Sequence, residues 1–183
     1  MLKKKLFTLA CVVGILACGA CWGPPYRPPI ARPLAGARTI FVTVVNASEL
    51  HNLDPSTFAN AIILRLNGTY HAGWPSGSIQ AVGEAPSGAA DATLNVKILS
   101  EDAHLSREFL SSESIWKISM KVSATLVGRD GRVIWSDEKM ALSDSYPGSY
   151  GSTRFNWEAL NKNKVGMLAL AYQFQEKMLY IRH

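Results

Sequence analysis

The sequence predicts an α+β fold: a two-layer sandwich of a mostly antiparallel four-stranded sheet with two helices on one face. Three observations carry this. A β-branched run at Thr39–Val45 is followed by an apolar stripe of helical period, two stretches alternate apolar and polar residues around an Asp-Gly turn, and a second helix-forming segment closes the chain. The order strand, helix, strands, helix packs both helices on one side of the sheet.

The body opens with Thr39-Ile40-Phe41-Val42-Thr43-Val44-Val45, a strand buried on at least one face. Asp54-Pro55 starts a helix, Asp54 as N-cap and Pro55 in the first turn. Phe58, Ile62 and Leu66 form its apolar stripe with Ala59 and Ile63 beside them, and Asn67-Gly68 ends it. From Thr69 to Ala90 the chain is rich in glycine, proline and small residues, and only Ile79–Val82 reads as a short strand. In Ala92–Leu99, Leu94, Val96 and Ile98 alternate with Thr93, Asn95 and Lys97, so one face is dry and the other wet. The alternation is longest where Trp116, Ile118, Met120, Val122, Ala124 and Leu126 are set against Lys117, Ser119, Lys121, Ser123 and Thr125. Asp130-Gly131 marks a hairpin turn, and the chain returns through Val133-Ile134-Trp135 toward Met140 and Leu142, completing an antiparallel meander from 92 to 142. A Gly, Ser and Tyr loop spans Ser143–Thr153. A terminal helix then runs from about Trp157 to Tyr180, with Leu160, Val165, Leu168, Ala171, Tyr172, Met178 and Leu179 toward the sheet and Met167, Leu170 and Phe174 widening the apolar arc.

Residues 1–17 have the order of a signal peptide: Lys3, Lys4 and Lys5, then an apolar run from Leu6 to Ala17. An uncleaved anchor would need about 20 apolar residues, more than the run supplies. Ile15-Leu16-Ala17-Cys18 resembles the lipobox of bacterial lipoproteins, which places the lipid on Cys18; Gly19-Ala20-Cys21 is the alternative, with Cys21 as the modified residue. Residues 18–38 then read as a lipidated, Pro-rich tether and 39–183 as one domain. The tether is either a loose tail or a membrane contact, with Arg27, Arg32 and Arg38 on anionic head groups and Trp22 and Tyr26 at the interface. Gly19 and Ala20 lack the aspartate that signals retention at the inner membrane in many such lipoproteins, so the expected location is the outer membrane, facing the periplasm.

Composition narrows function further. All three cysteines fall within the first 21 residues, so the body offers no thiol for a disulfide, zinc site or nucleophile. The net charge is +5, and loss of the three leader lysines leaves 16 basic against 14 acidic side chains, too mild a balance for nucleic acid. No nucleophile elbow, zinc-protease helix, phosphate loop or dinucleotide fingerprint is present. His51, His71, His104 and His183 are scattered, and Glu101-Asp102 and Asp137-Glu138 are adjacent carboxylates that point to opposite sides of a strand. The expectation is a protein that is not an enzyme and holds no metal. The candidate binding residues are Lys117 and Lys121 with Lys97 on the wet strand face, and Arg129 and Arg132 in the turn, where they meet phosphates or acidic partner residues or serve solubility alone. Trp116 and Trp135 read as core; Tyr146 and Tyr150 sit in a partner-contact loop or an ordinary connection.

In several segments the chain resembles the LptE-like family of outer-membrane lipopolysaccharide-assembly lipoproteins. The resemblance rests on the lipidated cysteine and short tether, ARTIFVTVVN, DPSTFANAIILRLN, AADATLNVKI, SIWKISMKVSATLVGRDGRVIWSDEKM, the SDSYP loop and the final helix. It departs at CGACWGPPY, where the family usually begins Cys-Gly-Tyr, and in the Gly- and Pro-rich stretch from Thr69 to Ala90. The resemblance implies a non-enzymatic partner of a large outer-membrane β-barrel translocon that helps pass lipopolysaccharide to the cell surface. Implied with it are a membrane anchor through diacylglycerol and an N-acyl chain such as palmitate on the N-terminal cysteine, no other cofactor, and no nucleic acid. A lipoprotein that activates a cell-wall synthase or belongs to a secretion assembly is the alternative on a similar sandwich.

Overall fold

The computed structural model describes residues 30–31, 34, 36–68, 80–83, 90–107, 114–151, 153–163 and 166–181. Cys18, Cys21, the leader, most of Thr69–Ala90, His71, Val165 and His183 lie outside the described residues. In chain order the elements are β1 (Ile30–Ala31), β2 (Thr39–Asn46), α1 (Pro55–Gly68), β3 (Gln80–Val82), β4 (Ala92–Arg107), β5 (Ser114–Gly128), β6 (Val133–Pro147), a 3-10 turn (Gly148–Tyr150), α2 (Trp157–Lys162), α3 (Leu168–Leu179) and β7 (Tyr180–Ile181).

Among the described residues the fold is α+β, with a five-stranded mixed sheet in the order β3-β2-β4-β5-β6 and three α-helices. This corrects the expected four-stranded, mostly antiparallel sheet. Helix α1 carries the chain back to the end of the sheet where β2 began, so β3 and β4 both run parallel to β2, in the register Ile40↔Ala81 and Val42↔Leu94. The meander β4-β5-β6 is antiparallel as read from the sequence.

One face of the sheet is dry. Ile40 and Val42, Leu94, Val96 and Ile98, the alternating set from Trp116 to Leu126, and Trp135, Met140 and Leu142 are buried under the helices. Helix α1 buries Phe58, Ala61, Ile62 and Leu66, and α3 buries Leu170, Ala171, Phe174, Met178 and Leu179. Phe174 is the common point, edge-on to Phe58 at 6.4 Å and to Trp135 at 6.3 Å between centroids. Such edge-to-face contacts add about 0.5–1.5 kcal/mol each beyond area burial.

Three irregularities in the register change the phase of this pattern, one of them beside the turn, where Leu126 pairs Trp135 and Val127 pairs Val133 with Ile134 left over. Ile98 pairs Val122 and Ser100 pairs Lys121, leaving Leu99 as the extra residue, so the inward positions of β4 shift from 94, 96 and 98 to 101, 103 and 105. In β6, Met140 pairs Val122 and Asp137 pairs Ala124, so Glu138 and Lys139 together oppose Ser123. These bulges let β4 continue to Arg107 and β6 to Pro147, well past the stretches where simple alternation is visible.

The terminal helix is two helices rather than one. Asn163 takes an extended conformation (φ −92°, ψ 93°) and ends α2, while the Gly166 carbonyl accepts a hydrogen bond from the Tyr146 hydroxyl. The break resets the helical phase. Leu170 and Phe174 therefore become core, and Tyr172, expected to face the sheet, lies outside with the Arg65 guanidinium 5.3 Å above its ring.

The SDSYP segment is strand rather than loop. Tyr146 and Trp116 are buried, and both pack against Phe155, at 5.8 and 5.7 Å, which in turn meets Trp157 at 5.0 Å. Trp116 Nε1 donates to the Gly151 carbonyl at 2.8 Å. Gly151 sits at φ +146°, where a side chain is strained, and a Cβ there would lie 1.8 Å from the Arg154 carbonyl oxygen.

Ordered pairing also begins earlier than Thr39. Ile30 and Ala31 pair with Ile181 and Tyr180, and Leu34 and Ala37 are buried in the core.

Candidate functional site

The structure sorts the candidate binding residues into two separate places. Lys97, Lys117 and Lys121 are exposed on the sheet face opposite the helices, as the alternation predicts. Lys97 pairs Ser123 across β4 and β5, which puts Lys121 at the diagonal position, about 7–8 Å away. Lys117 lies four residues along β5 from Lys121, about 13 Å. Around them stand exposed Asn95, Ser100, Ser119, Ala141, Ser143 and Ser145, with Lys139 beside Ser123 at the β6 bulge. Among the described residues the ion pairs are His104–Asp102, Arg129–Asp91, Arg132–Asp130 and Lys162–Glu158. None of the four lysines of this face is in one, although exposed Asp102, opposite Ser119, stands on the same face at the diagonal positions to Lys117 and Lys121. Val45, 61 % exposed, and Leu99, 37 %, add an apolar edge beside Lys97.

Arg129 and Arg132 lie at the far end of β5, about 27 Å from Lys121, and form no common site with the lysines. The turn that holds them is the expected hairpin: the Gly128 N–H donates to the Arg132 carbonyl at 2.8 Å, the Gly131 N–H to the Gly128 carbonyl at 2.9 Å, and Gly131 supplies φ +80°. Asp130 Oδ1 accepts from the Arg132 N–H at 3.0 Å, and its Oδ2 lies 3.5 Å from Arg132 Nε. Arg129 Nη2 lies 3.7 Å from Asp91 Oδ1, and the Arg129 N–H donates to the Asp91 carbonyl at 2.9 Å. Asp91 Oδ2 also accepts from the Thr39 N–H at 2.9 Å and the Arg38 N–H at 3.1 Å. These backbone bonds, first Thr39 and then Arg38, with the guanidinium of Arg129 adding to them, hold the Asp91 carboxyl below the usual aspartate range. Sequence reading had not singled out Asp91, because its partners are set by β2–β4 register rather than by proximity in the chain. A shallow cleft of about 610 Å³ runs past these groups, lined by Gly36, Ala37, Asp91, Arg129, Arg132 and Val133 among others.

Glu101 is the other residue whose importance the sequence concealed. The Leu99 bulge turns it inward, where it is 4 % exposed and organises the β2–α1 loop. Its Oε1 accepts from the Ser48 hydroxyl at 2.8 Å and from the Asn52 N–H, and its Oε2 accepts from the Leu53 N–H at 2.9 Å. Asp102, its neighbour, is exposed on the opposite side, as expected for adjacent strand residues. The next step of the chain is the α1 cap: Asp54 accepts from the hydroxyls and N–H groups of Ser56 and Thr57, and the two hydroxyls lead in lowering its pKa. Trp116 and Trp135 are core residues, as read from the sequence.

Among the described residues no three His, Cys, Asp or Glu side chains converge as metal ligands, and no helix is long and apolar enough to cross a membrane.

No protein-family model matches the sequence, and no curated protein matches it. Solved structures of similar fold include a minor lipoprotein from Acinetobacter baumannii (12 % identity, 78 % of this chain and 92 % of that one, TM-score 0.41). They also include lipoprotein B from Nitrosomonas europaea (14 %, 86 % and 90 %, 0.40) and the rare lipoprotein B from Shewanella oneidensis (13 %, 75 % and 92 %, 0.35). At these scores the likeness is loose and bears on neither activity nor partner.

Proposed function

We propose that the protein is a non-enzymatic, lipid-anchored lipoprotein of the outer membrane that partners a large β-barrel translocon and supports the passage of lipopolysaccharide to the cell surface. The observation that carries the reading is the uncovered sheet face. A sheet face of hydroxyls and lysines that are in no ion pair suits contact with an acidic wall or with the phosphates of a glycolipid, for which ammonium groups are point-charge partners. The lipobox-like Ile15-Leu16-Ala17-Cys18, with Gly19-Ala20-Cys21 as the other candidate, supplies the anchor, and the LptE-like segments supply the partner class. Within this reading Lys97, Lys117 and Lys121 meet the partner. The turn arginines, each already beside an aspartate, are not needed for that contact.

The test is co-purification from detergent-solubilised outer membranes, combined with surface lipopolysaccharide measured on depletion. The expected result is a large β-barrel in the eluate and lowered surface lipopolysaccharide. Recovery of peptidoglycan enzymes or secretion components instead, with surface lipid unchanged, overturns it.

A further inference from the structure

The end of the five-stranded sheet that carries the turn is also the end at which the chain enters that sheet, at Thr39. Asp91 accepts from the N–H groups of Arg38 and Thr39 and pairs with Arg129, while Gly36 and Ala37 share a cleft wall with Arg129, Arg132 and Val133. Three arginines therefore gather at the entry point: Arg38 is exposed, and the side chains of Arg129 and Arg132 are 61 % and 88 % exposed. Val133, next to Arg132, is 61 % exposed, an apolar tip among guanidinium groups. Among the described residues, the carboxylates beside these arginines are Asp91 and Asp130. Both arginine–aspartate pairs are wide and solvated, the kind of ion pair that contributes little and exchanges readily for another oxyanion.

Both candidate lipid anchors lie upstream of this end in the chain. Ile30, where pairing begins, is 12 residues from Cys18 and 9 from Cys21. A chain of 12 residues spans at most about 43 Å, so the fold stays within that reach of its anchor. The tethered segment joins the five-stranded sheet at Thr39, beside Arg38 and Asp91, so the arginine end is the end at which the anchored chain enters that sheet.

We propose that this end rests on an anionic phospholipid surface, with Arg38, Arg129 and Arg132 on headgroup phosphates and Val133 at the interface. The domain then stands end-on to the membrane, and the lysine-bearing sheet face is presented sideways, parallel to the bilayer normal. Guanidinium groups suit phosphate oxygens through paired N–H donors, and a small apolar residue flanked by arginines suits the boundary of headgroup and acyl chain. The inference rests on the lipid-anchored reading above and is independent of the barrel partner.

The experiment uses the full chain, purified from membranes, with whichever of Cys18 and Cys21 mass spectrometry finds unmodified replaced by serine. An environment-sensitive dye is placed at Val133→Cys or, in the β2–α1 loop beside the middle of the sheet, at Leu50→Cys, and the protein is reconstituted on vesicles of phosphatidylethanolamine with phosphatidylglycerol. The expected result is a blue shift and protection from iodide at 133 and neither at 50. Protection at 133 is lost in Arg129→Glu/Arg132→Glu and in 1 M salt, where screening falls to about 3 Å, although the chain still floats with the vesicles. Equal quenching at 133 and 50 in a chain that floats overturns the end-on contact and leaves the anchor standing. A chain that carries no acyl mass and does not float overturns both.

Discussion

Replacing Glu101 probes the joint on which the β2–α1 loop depends. Its carboxylate receives three donors with no cation beside it: the Ser48 hydroxyl and the Asn52 and Leu53 N–H groups. In Glu101→Gln one oxygen becomes an NH₂ group, so in either amide orientation a donor faces at least one backbone N–H. A buried unsatisfied donor costs about 1–3 kcal/mol, and two charge-assisted bonds become neutral ones, so a loss of about 2–3 kcal/mol is expected. Glu101→Ala strands all three donors and opens a cavity, for about 3–5 kcal/mol. At about 2–4 °C per kcal/mol for a domain of this size, the glutamine variant melts about 4–12 °C lower. Urea titration followed by the fluorescence of buried Trp116 and Trp135 reads these values, with the m-value unchanged. If both variants unfold within about 0.5 kcal/mol of the parent, the carboxylate does not organise the loop and the argument from its burial is wrong.

Other consequences are as direct. Asp54→Ala removes the α1 cap and costs about 1–2 kcal/mol by the same titration. Because the folded Asp54 carboxyl titrates below its unfolded value, its contribution is complete above the unfolded pKa of about 4 and disappears as pH falls through the lower folded value; the stability gap between parent and Asp54→Asn should be flat above about pH 5 and close below pH 4. Gly151→Ala drives a Cβ into the Arg154 carbonyl at a positive φ and should lower stability by about 2 kcal/mol or more in calorimetry. Tyr146→Phe loses the bond to the Gly166 carbonyl and about 1 kcal/mol, a small change that still sharpens proteolysis between α2 and α3. Lys97→Glu/Lys117→Glu/Lys121→Glu changes stability by less than about 1 kcal/mol while abolishing co-purification of the barrel, since these side chains are exposed and in no ion pair.

What the sequence made legible is what local rules govern. Asp54 caps its helix, Asp130-Gly131 makes its turn, and Leu94–Ile98 and Trp116–Leu126 put their apolar positions inward, because each depends on residues a few places apart. The lysine face was legible for the same reason, as the polar half of that alternation. The rest depends on pairing between distant segments. Nothing in Ile98-Leu99-Ser100 announces a bulge, so the inward turn of Glu101 and the length of β4 are visible only once β5 is laid beside it. Parallel β3 rests on the path of α1, and the break at Asn163 rests on Tyr146 reaching Gly166. The aspartate beside Arg132 is two residues away and in plain view, whereas Asp91, the partner of Arg129, is 38 residues distant in the chain and is brought there by pairing. Leu34 and Ala37 sit in a proline-rich stretch whose composition argues for a tether, while their burial follows from the pairing of Ile30 with Ile181.

The central claim is that the lysine-bearing face of the sheet meets a large β-barrel in the outer membrane. Photo-crosslinking in cells tests it most directly, with benzoylphenylalanine at Ser119 between Lys117 and Lys121, and at Leu64 on the exposed side of α1. The account predicts an adduct between position 119 and one large barrel protein, absent at position 64 and lost when the three lysines are reversed. Adducts to the barrel from position 64 alone, or from position 119 only to cell-wall enzymes, contradict it.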